Sequence, residues 1–365
     1  MTDSTHAAKP SGAPEWQRWL FAFAMAVLLA GMALAAFIIV MDPFGMRAVA
    51  RKHPRPLMDI NQRYMYPQVV RSGRFDAALF GTSTVRLLDP AMLSPAFGAS
   101  FANLGMNAAT PWEQVQLFAL FRREVALPKA IIWGIDTTWC EPDSATEAKR
   151  LTPRPFPPWL YDGLQLLDWR HAVNFTTLEI AVRLASHRLG MAPERIRADG
   201  FEIFTPSEAG YDLTQARSHL FRANGGQAPD QSPLTAPETV TPGLRATWMF
   251  PALTWLEQEL SALPQPTKRM LLLTPVHAAS LPREGSVSSA QSEACRAAIE
   301  AVSRRQNATL VDFRFRSDIT LDDANYWDPL HFRLGIARRI EAVLLALAHG
   351  RGTISDAAVR ITPPR

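Results

Sequence analysis

Apolar positions divide the chain into three kinds of segment. The first is a single long run. From Leu20 to Met41 the sequence reads LFAFAMAVLLAGMALAAFIIVM, 22 residues without a charge. At about 1.5 Å per residue, a helix of this length crosses the hydrocarbon core of a bilayer. Arg18 precedes the run and Asp42-Pro43 ends it. A cleaved signal peptide has a shorter apolar stretch, about 7–15 residues, before a small-residue cut site. Ala35-Ala36 offers such a site, but Phe37 to Met41 continue the run, so an uncleaved signal-anchor helix is expected.

The second kind is short and ends in turn residues. DAALFGTSTV (Asp76 to Val85), ASFANLGMNAAT, KAIIWGIDTTW, KRMLLLTPVHA and ATLVDF each hold a brief apolar run, which predicts buried strands. The third kind has helical spacing. TPWEQVQLFALFRREV predicts an amphipathic helix with Thr110 as N-cap and Pro111 at its first position. SEACRAAIEAVSRRQ and LGIARRIEAVLLALAHG predict two more, the last stopped by Gly350.

Strands alternating with helices imply an α/β fold with a parallel sheet. The alternation breaks between Cys140 and about Leu263, where Pro-rich and Gly-rich stretches predict an inserted segment of loops and short helices. The expected organisation is a polar tail over 1–19 and a membrane helix over 20–41. A linker and lead-in over 42–73, an α/β domain over 74–350 with its insertion at about 140–263, and a tail over 351–365 complete it.

Composition narrows the function classes. A net charge of only +4, with no basic run carrying interleaved aromatics, argues against nucleic acid as a partner. No spacing of His, Cys and carboxylates suits a metal, and no nucleotide-binding fingerprint occurs, so no metal and no cofactor is expected. Cys140 and Cys295 either form one bridge in an oxidising compartment or remain two buried thiols. Arg47, Arg51, Lys52 and Arg55 follow the apolar run, whereas Lys9 and Arg18 precede it. The positive-inside rule taken alone would put the large domain in the cytoplasm.

In open α/β sheets, ligands bind beyond the carboxyl ends of the strands. The residues there are Gly81-Thr82-Ser83-Thr84, Gly105 to Ala108, Gly134-Ile135-Asp136 and Thr274-Pro275-Val276-His277. Late in the chain, YWDPLHF places Asp328 and His331 three residues apart, just before the last helix. A serine hydroxyl is a weak nucleophile and needs a base, and the base needs an acid to fix its tautomer.

A serine after the first strand with a late Asp and His resembles the SGNH/GDSL hydrolase superfamily. The resemblance is to its membrane-anchored bacterial members associated with polysaccharide O-acylation. LFGTSTVR resembles the first block of that family, FANLGMNAAT the second, and YWDPLHF the fifth; IIWGIDTTW stands where the third should be. The match covers about 80 to 135 and 270 to 345, outside the insertion.

The resemblance implies a three-layer α/β/α domain and a serine esterase or O-acyltransferase acting on an acylated envelope carbohydrate. It implies Ser83 as nucleophile, His331 as base and Asp328 as the orienting acid. Gly105, Asn107, Ala108 and Asp136 fall in the blocks that line the oxyanion and substrate site. It further implies the inner membrane as location, an extracytoplasmic active site, and an integral-membrane acyltransferase as a partner. This side is opposite to the one the loop charges indicate. Two positions depart from the family pattern. Ala108 stands where the second block has glycine, and Asp136 stands where the third has an asparagine that donates to the oxyanion. A carboxylate there would repel the developing charge, leaving Asn103 or Asn107 as substitutes or an oxyanion hole with two donors. The departure also keeps open a non-catalytic protein of the same fold that binds glycan. His277 reads as a loop histidine. Trp112, Trp133, Trp139 and Trp159 read as packing residues ahead of a sugar platform.

Overall fold

The computed structural model describes residues 15–47, 54–163, 168–350 and 354–364. The chain begins with helix α1 (Glu15–Met41) and continues through α2 (Gln62–Val70), β1 (Ala77–Gly81), α3 (Pro90–Phe97), β2 (Phe101–Gly105), α4 (Pro111–Glu124) and β3 (Ala130–Gly134). Next come α5 (Phe175–Arg188), α6 (Leu213–Leu220), α7 (Pro242–Ala246) and α8 (Ala252–Ser261). The domain closes with β4 (Lys268–Leu273), α9 (Val287–Arg305), β5 (Thr309–Asp312), α10 (Asp318–Leu321), α11 (Leu334–Ala348) and β6 (Arg360–Thr362).

The six strands form one sheet in the order β2-β1-β3-β4-β5-β6, parallel except for β6. Every residue of β1, β2 and β3 is buried, because helices cover both faces and alternation with polar residues has no purpose there. Side chains still alternate between two cores. Phe80, Trp133, Leu271 and Leu273 join α2, α4, α8 and α9 in one, while Leu79, Ile132, Leu272 and Val311 join α3 and α11 in the other.

The chain order reverses between β1 and β3, so the crevice where a doubly wound sheet binds its ligand opens between their carboxyl ends. Three glycines make that end compact. A Cβ on Gly134 would lie 2.3 Å from Val85 Cγ1, and one on Gly105 2.7 Å from Val85 Cγ2. Gly81 has φ +144°, a conformation that side chains avoid. Val85 therefore plugs three strand ends at once and seats the turn that carries Ser83.

Several boundaries differ from the sequence reading. The segment read as linker and lead-in over 42–73 is, where described, built into the domain. Asp42, Phe44 and Leu57 are buried, and α2 carries Arg63 into a fully buried pair with Glu113 (Nη2–Oε2 2.5 Å). Its sparse apolar residues hid it, because much of what α2 buries is polar and bonded to distant partners. The membrane-length helix starts at Glu15, so 15–19 belong to it; the rest of the expected polar tail lies outside the described residues. The segment read as a C-terminal tail supplies β6, antiparallel to β5. The insertion is shorter than read, since α8 buries Leu253, Leu256 and Leu260 under the sheet as an ordinary crossover helix. Trp133 and Trp139 are fully buried.

Candidate functional site

β1 ends at Gly81, the chain extends through Thr82, and a 3-10 turn over Ser83–Val85 follows. That turn lifts Ser83 to the rim of the sheet. The loop between α10 and α11 brings Asp328 and His331 to the same rim. Ser83 Oγ lies 2.7 Å from His331 Nε2, and His331 Nδ1 lies 2.7 Å from Asp328 Oδ2. A carboxylate only accepts, so Nδ1 carries the proton and Nε2 is left to accept from the Ser83 hydroxyl. Asp328 Oδ1 also accepts from the amides of Leu330 (2.9 Å) and His331 (3.0 Å), closing the three-residue spacing into a turn. Burial pushes the Asp328 carboxyl up. The His331 bond and charge and the two amides outweigh it and hold the acid below its usual range.

The loop is fixed from outside. The His277 amide donates to the Pro329 carbonyl (2.9 Å), and Ser280 Oγ donates to the same oxygen (3.4 Å). The buried His277 ring accepts from the Ala279 amide on Nδ1, so its Nε2–H donates to Asp323 Oδ1 (3.0 Å). Burial lowers the pKa of His277, with Asp323 opposing. His277 is thus a neutral strut under the triad loop, and the strand end after β4 is what marked it in the sequence. The insertion contributes as well. Phe204 meets the His331 ring edge to face at 5.1 Å, and Tyr211 donates to the Tyr326 carbonyl (3.0 Å). Neither residue carries a motif that would have singled it out.

The residues expected around the oxyanion divide sharply. The Gly105 amide is committed to Asn103 Oδ1 (3.1 Å), so Gly105 serves the close packing on Val85 and Thr82, not the site. Asn103 spends its amide on the carbonyls of Val85 and Leu88, both at 2.9 Å. Asp136 caps its own turn, its Oδ1 accepting from the Thr138 amide at 2.9 Å and from the Thr138 hydroxyl. Arg314 packs behind it, donating to the carbonyls of Ile135 (2.7 Å) and Thr274 (3.1 Å).

Asn107 and Ala108 remain. The Asn107 backbone is clamped by α2: its amide donates to Gln62 Oε1 (3.2 Å) and its carbonyl accepts from Arg63 Nη1 (3.1 Å). Arg86 donates to Asn107 Oδ1, which orients the side-chain amide and leaves Nδ2 without a protein partner among the described residues. Ala108 has φ +50°, the left-handed region that glycine would occupy at no cost. The amides of Ser83 and Ala108 donate to no protein acceptor among the described residues.

No family model matches this chain, and neither does any curated protein. Among the described residues no group of His, Cys, Asp and Glu could hold a metal ion. Cys140, at the end of the turn after β3, is bonded to Cys295 of α9, which decides between the two readings of these cysteines.

Proposed function

We propose that the protein is a serine-dependent esterase or O-acyltransferase of the SGNH type, with a three-layer α/β/α domain, acting on acylated carbohydrate of the cell envelope. The observation that carries this reading is the unbroken Ser83–His331–Asp328 relay, with 2.7 Å at each step. Ser83 Oγ attacks the ester carbonyl while His331 Nε2 takes its proton. Asp328 stabilises the imidazolium that forms. The oxyanion is met by the amides of Ser83 and Ala108 and by Asn107 Nδ2, which stands in for the missing third-block asparagine. Collapse expels the sugar oxygen, which takes the proton from His331 and leaves an acyl group on Ser83. Water or a second sugar hydroxyl then attacks that acyl group, with His331 again as base.

On this reading α1 stays uncleaved as a single membrane span of the inner membrane. Its C-terminal turn is folded into the domain through Ile38, and Asp42 and Phe44 are buried behind it, so a cut there would remove part of the packing. The domain lies on the extracytoplasmic side. The Cys140–Cys295 bridge supports this, since such bonds persist in oxidising compartments. Arg55, one of the charges arguing for the opposite side, is paired with Asp42 at 3.2 Å and is 14% exposed, so it counts for less than an exposed loop cation. The partners are the membrane, an acylated carbohydrate and an integral-membrane acyltransferase.

A second reading, a non-catalytic protein of this fold that binds glycan or serves such an acyltransferase, is favoured by one observation, the carboxylate at Asp136. A fluorophosphonate probe separates the two. The full-length protein becomes covalently labelled at Ser83, Ser83→Ala abolishes labelling, and turnover of a small activated ester falls by about 10^4-fold or more. A folded wild-type protein that takes up no label would overturn the enzyme reading.

A further inference from the structure

We infer that the outward face of α5, with the chain just beyond each of its ends, rests in the membrane–water interface where α1 leaves the bilayer. The inference depends on α1 being a membrane span, and is independent of the chemistry at Ser83.

A ruler along α1 comes first. The helix has 27 residues, about 40 Å at 1.5 Å per residue, against a hydrocarbon core of about 30 Å. Trp16 and Trp19, 60% and 64% exposed, sit at its start, and tryptophan prefers the interface. About 20 residues from Trp19 carry the helix across the core to the neighbourhood of Ile39–Met41. That is where α1 meets α5. The two helices pack together, and Arg188 at the end of α5 reaches the Met41 carbonyl (3.4 Å) and sulfur (3.6 Å).

The second observation is what α5 leaves uncovered. It buries Thr177, Ile180, Ala181 and Leu184 against the domain. Phe175 and Val182, and Leu189 just past its end, recur every seven residues and so share the opposite face. They are 80%, 49% and 72% exposed, and Val173 and Met191 flank them at 59% and 68%. No other stretch of comparable length among the described residues outside α1 exposes as many large apolar side chains. Glu179 lies on this face too, paired at 2.5 Å with Arg183, which also holds Asp59 at 2.7 Å.

Exposed apolar residues flanked by arginines, on a helix packed against the end of a membrane-length helix, match a lipid surface. Rings and methyls enter the acyl boundary, and guanidinium groups reach the phosphates. A span that ends in a packed domain with a second contact at the interface holds that domain at a set tilt and height. A free tether would not.

The test uses the full chain in nanodiscs of phosphatidylethanolamine and phosphatidylglycerol, with its native disulfide intact. Spin labels are placed on Phe175→Cys, Leu189→Cys, Leu29→Cys in mid-α1, and Leu127→Cys as an exposed site elsewhere on the domain. Accessibility to oxygen is compared with accessibility to a water-soluble nickel chelate. Labels at 175 and 189 should favour oxygen, as at 29, whereas 127 favours the chelate. If 175 and 189 behave like 127 while 29 reads as lipid, the inference fails and the membrane span stands. If 29 also reads as water, both fall. Restricted labels at 175 and 189 shielded from both reagents would mean a protein occupant, a second copy or a partner, and would overturn the lipid assignment. Fluorophosphonate labelling of Phe175→Glu/Leu189→Glu in detergent should equal wild type, which keeps this inference separate from the catalytic reading.

Discussion

The ends of β1 and β3 are similar local structures with opposite outcomes. Each strand closes on a glycine whose Cβ would strike a neighbour, Gly81 and Gly134. Each then reaches an extended residue that precedes a 3-10 turn, directly at Thr82 (φ −98°, ψ −161°) and after one further residue, Ile135, at Asp136 (φ −98°, ψ −173°). At the first end, Thr82 makes no cap, and the hydroxyl of the next residue is free to meet His331. At the second, Asp136 caps its own turn through Oδ1. Matching backbones therefore do not imply matching chemistry. What differs is whether the polar group is satisfied locally or left for a distant partner.

This contrast can be broken most directly at Asn107, which on our reading replaces the donor that the β3 end lacks. Asn107→Ala should lower kcat on a small ester about 100- to 1000-fold with KM nearly unchanged. Steady-state kinetics decides it, and an unaltered kcat would return the missing donor to the β3 end. Gly134→Ala tests the packing that the two ends share. Its Cβ would collide with Val85, so the expected loss is about 1–3 kcal/mol in denaturant unfolding, with activity reduced through the displaced Ser83 turn. Asp136→Ala should cost about 1 kcal/mol by loss of the turn cap, and Asp136→Asn less, with kcat changed severalfold at most. A large kcat effect in Asp136→Asn would show that the carboxylate takes part after all.

The smallest effect concerns the strut below the triad loop. His277 has a folded pKa below its ordinary value near 6.5, because burial outweighs Asp323. The unfolded chain therefore binds more protons between the lowered folded value and about 6.5. The stability it contributes is complete above that upper value and is lost as pH falls through the window. Thermal unfolding of wild type should weaken over that interval, and His277→Gln should flatten the dependence. A His277→Gln curve parallel to wild type would remove His277 from this role.

Much of the fold was legible along the chain. Short apolar runs ending in glycine announced β1, β2 and β3, because a strand buried on both faces needs continuous apolar residues and a tight exit. Thr110 as N-cap and Pro111 at the first position announced α4 for a similarly local reason, and in the structure Glu113 completes the cap. By contrast α2 was hidden: Gln62 and Arg63 are polar in sequence and buried in place, each bonded to a residue more than 40 positions away. The β6 strand was hidden because three residues make a strand only where an edge awaits them.

The same division holds at the candidate site. The sequence alone determined that a serine, a histidine and an acid would stand at loop positions beyond strands and just before the last helix, since turn chemistry and strand exits are local. Tertiary structure decided the rest. It set Ser83 at 2.7 Å from His331, engaged the Gly105 amide and Asp136 Oδ1 in local bonds, and fixed Asn107 through Arg86 and α2. A hydrogen-bonding group has only so many bonds to give, and which partner takes them depends on what folding brings within about 3 Å.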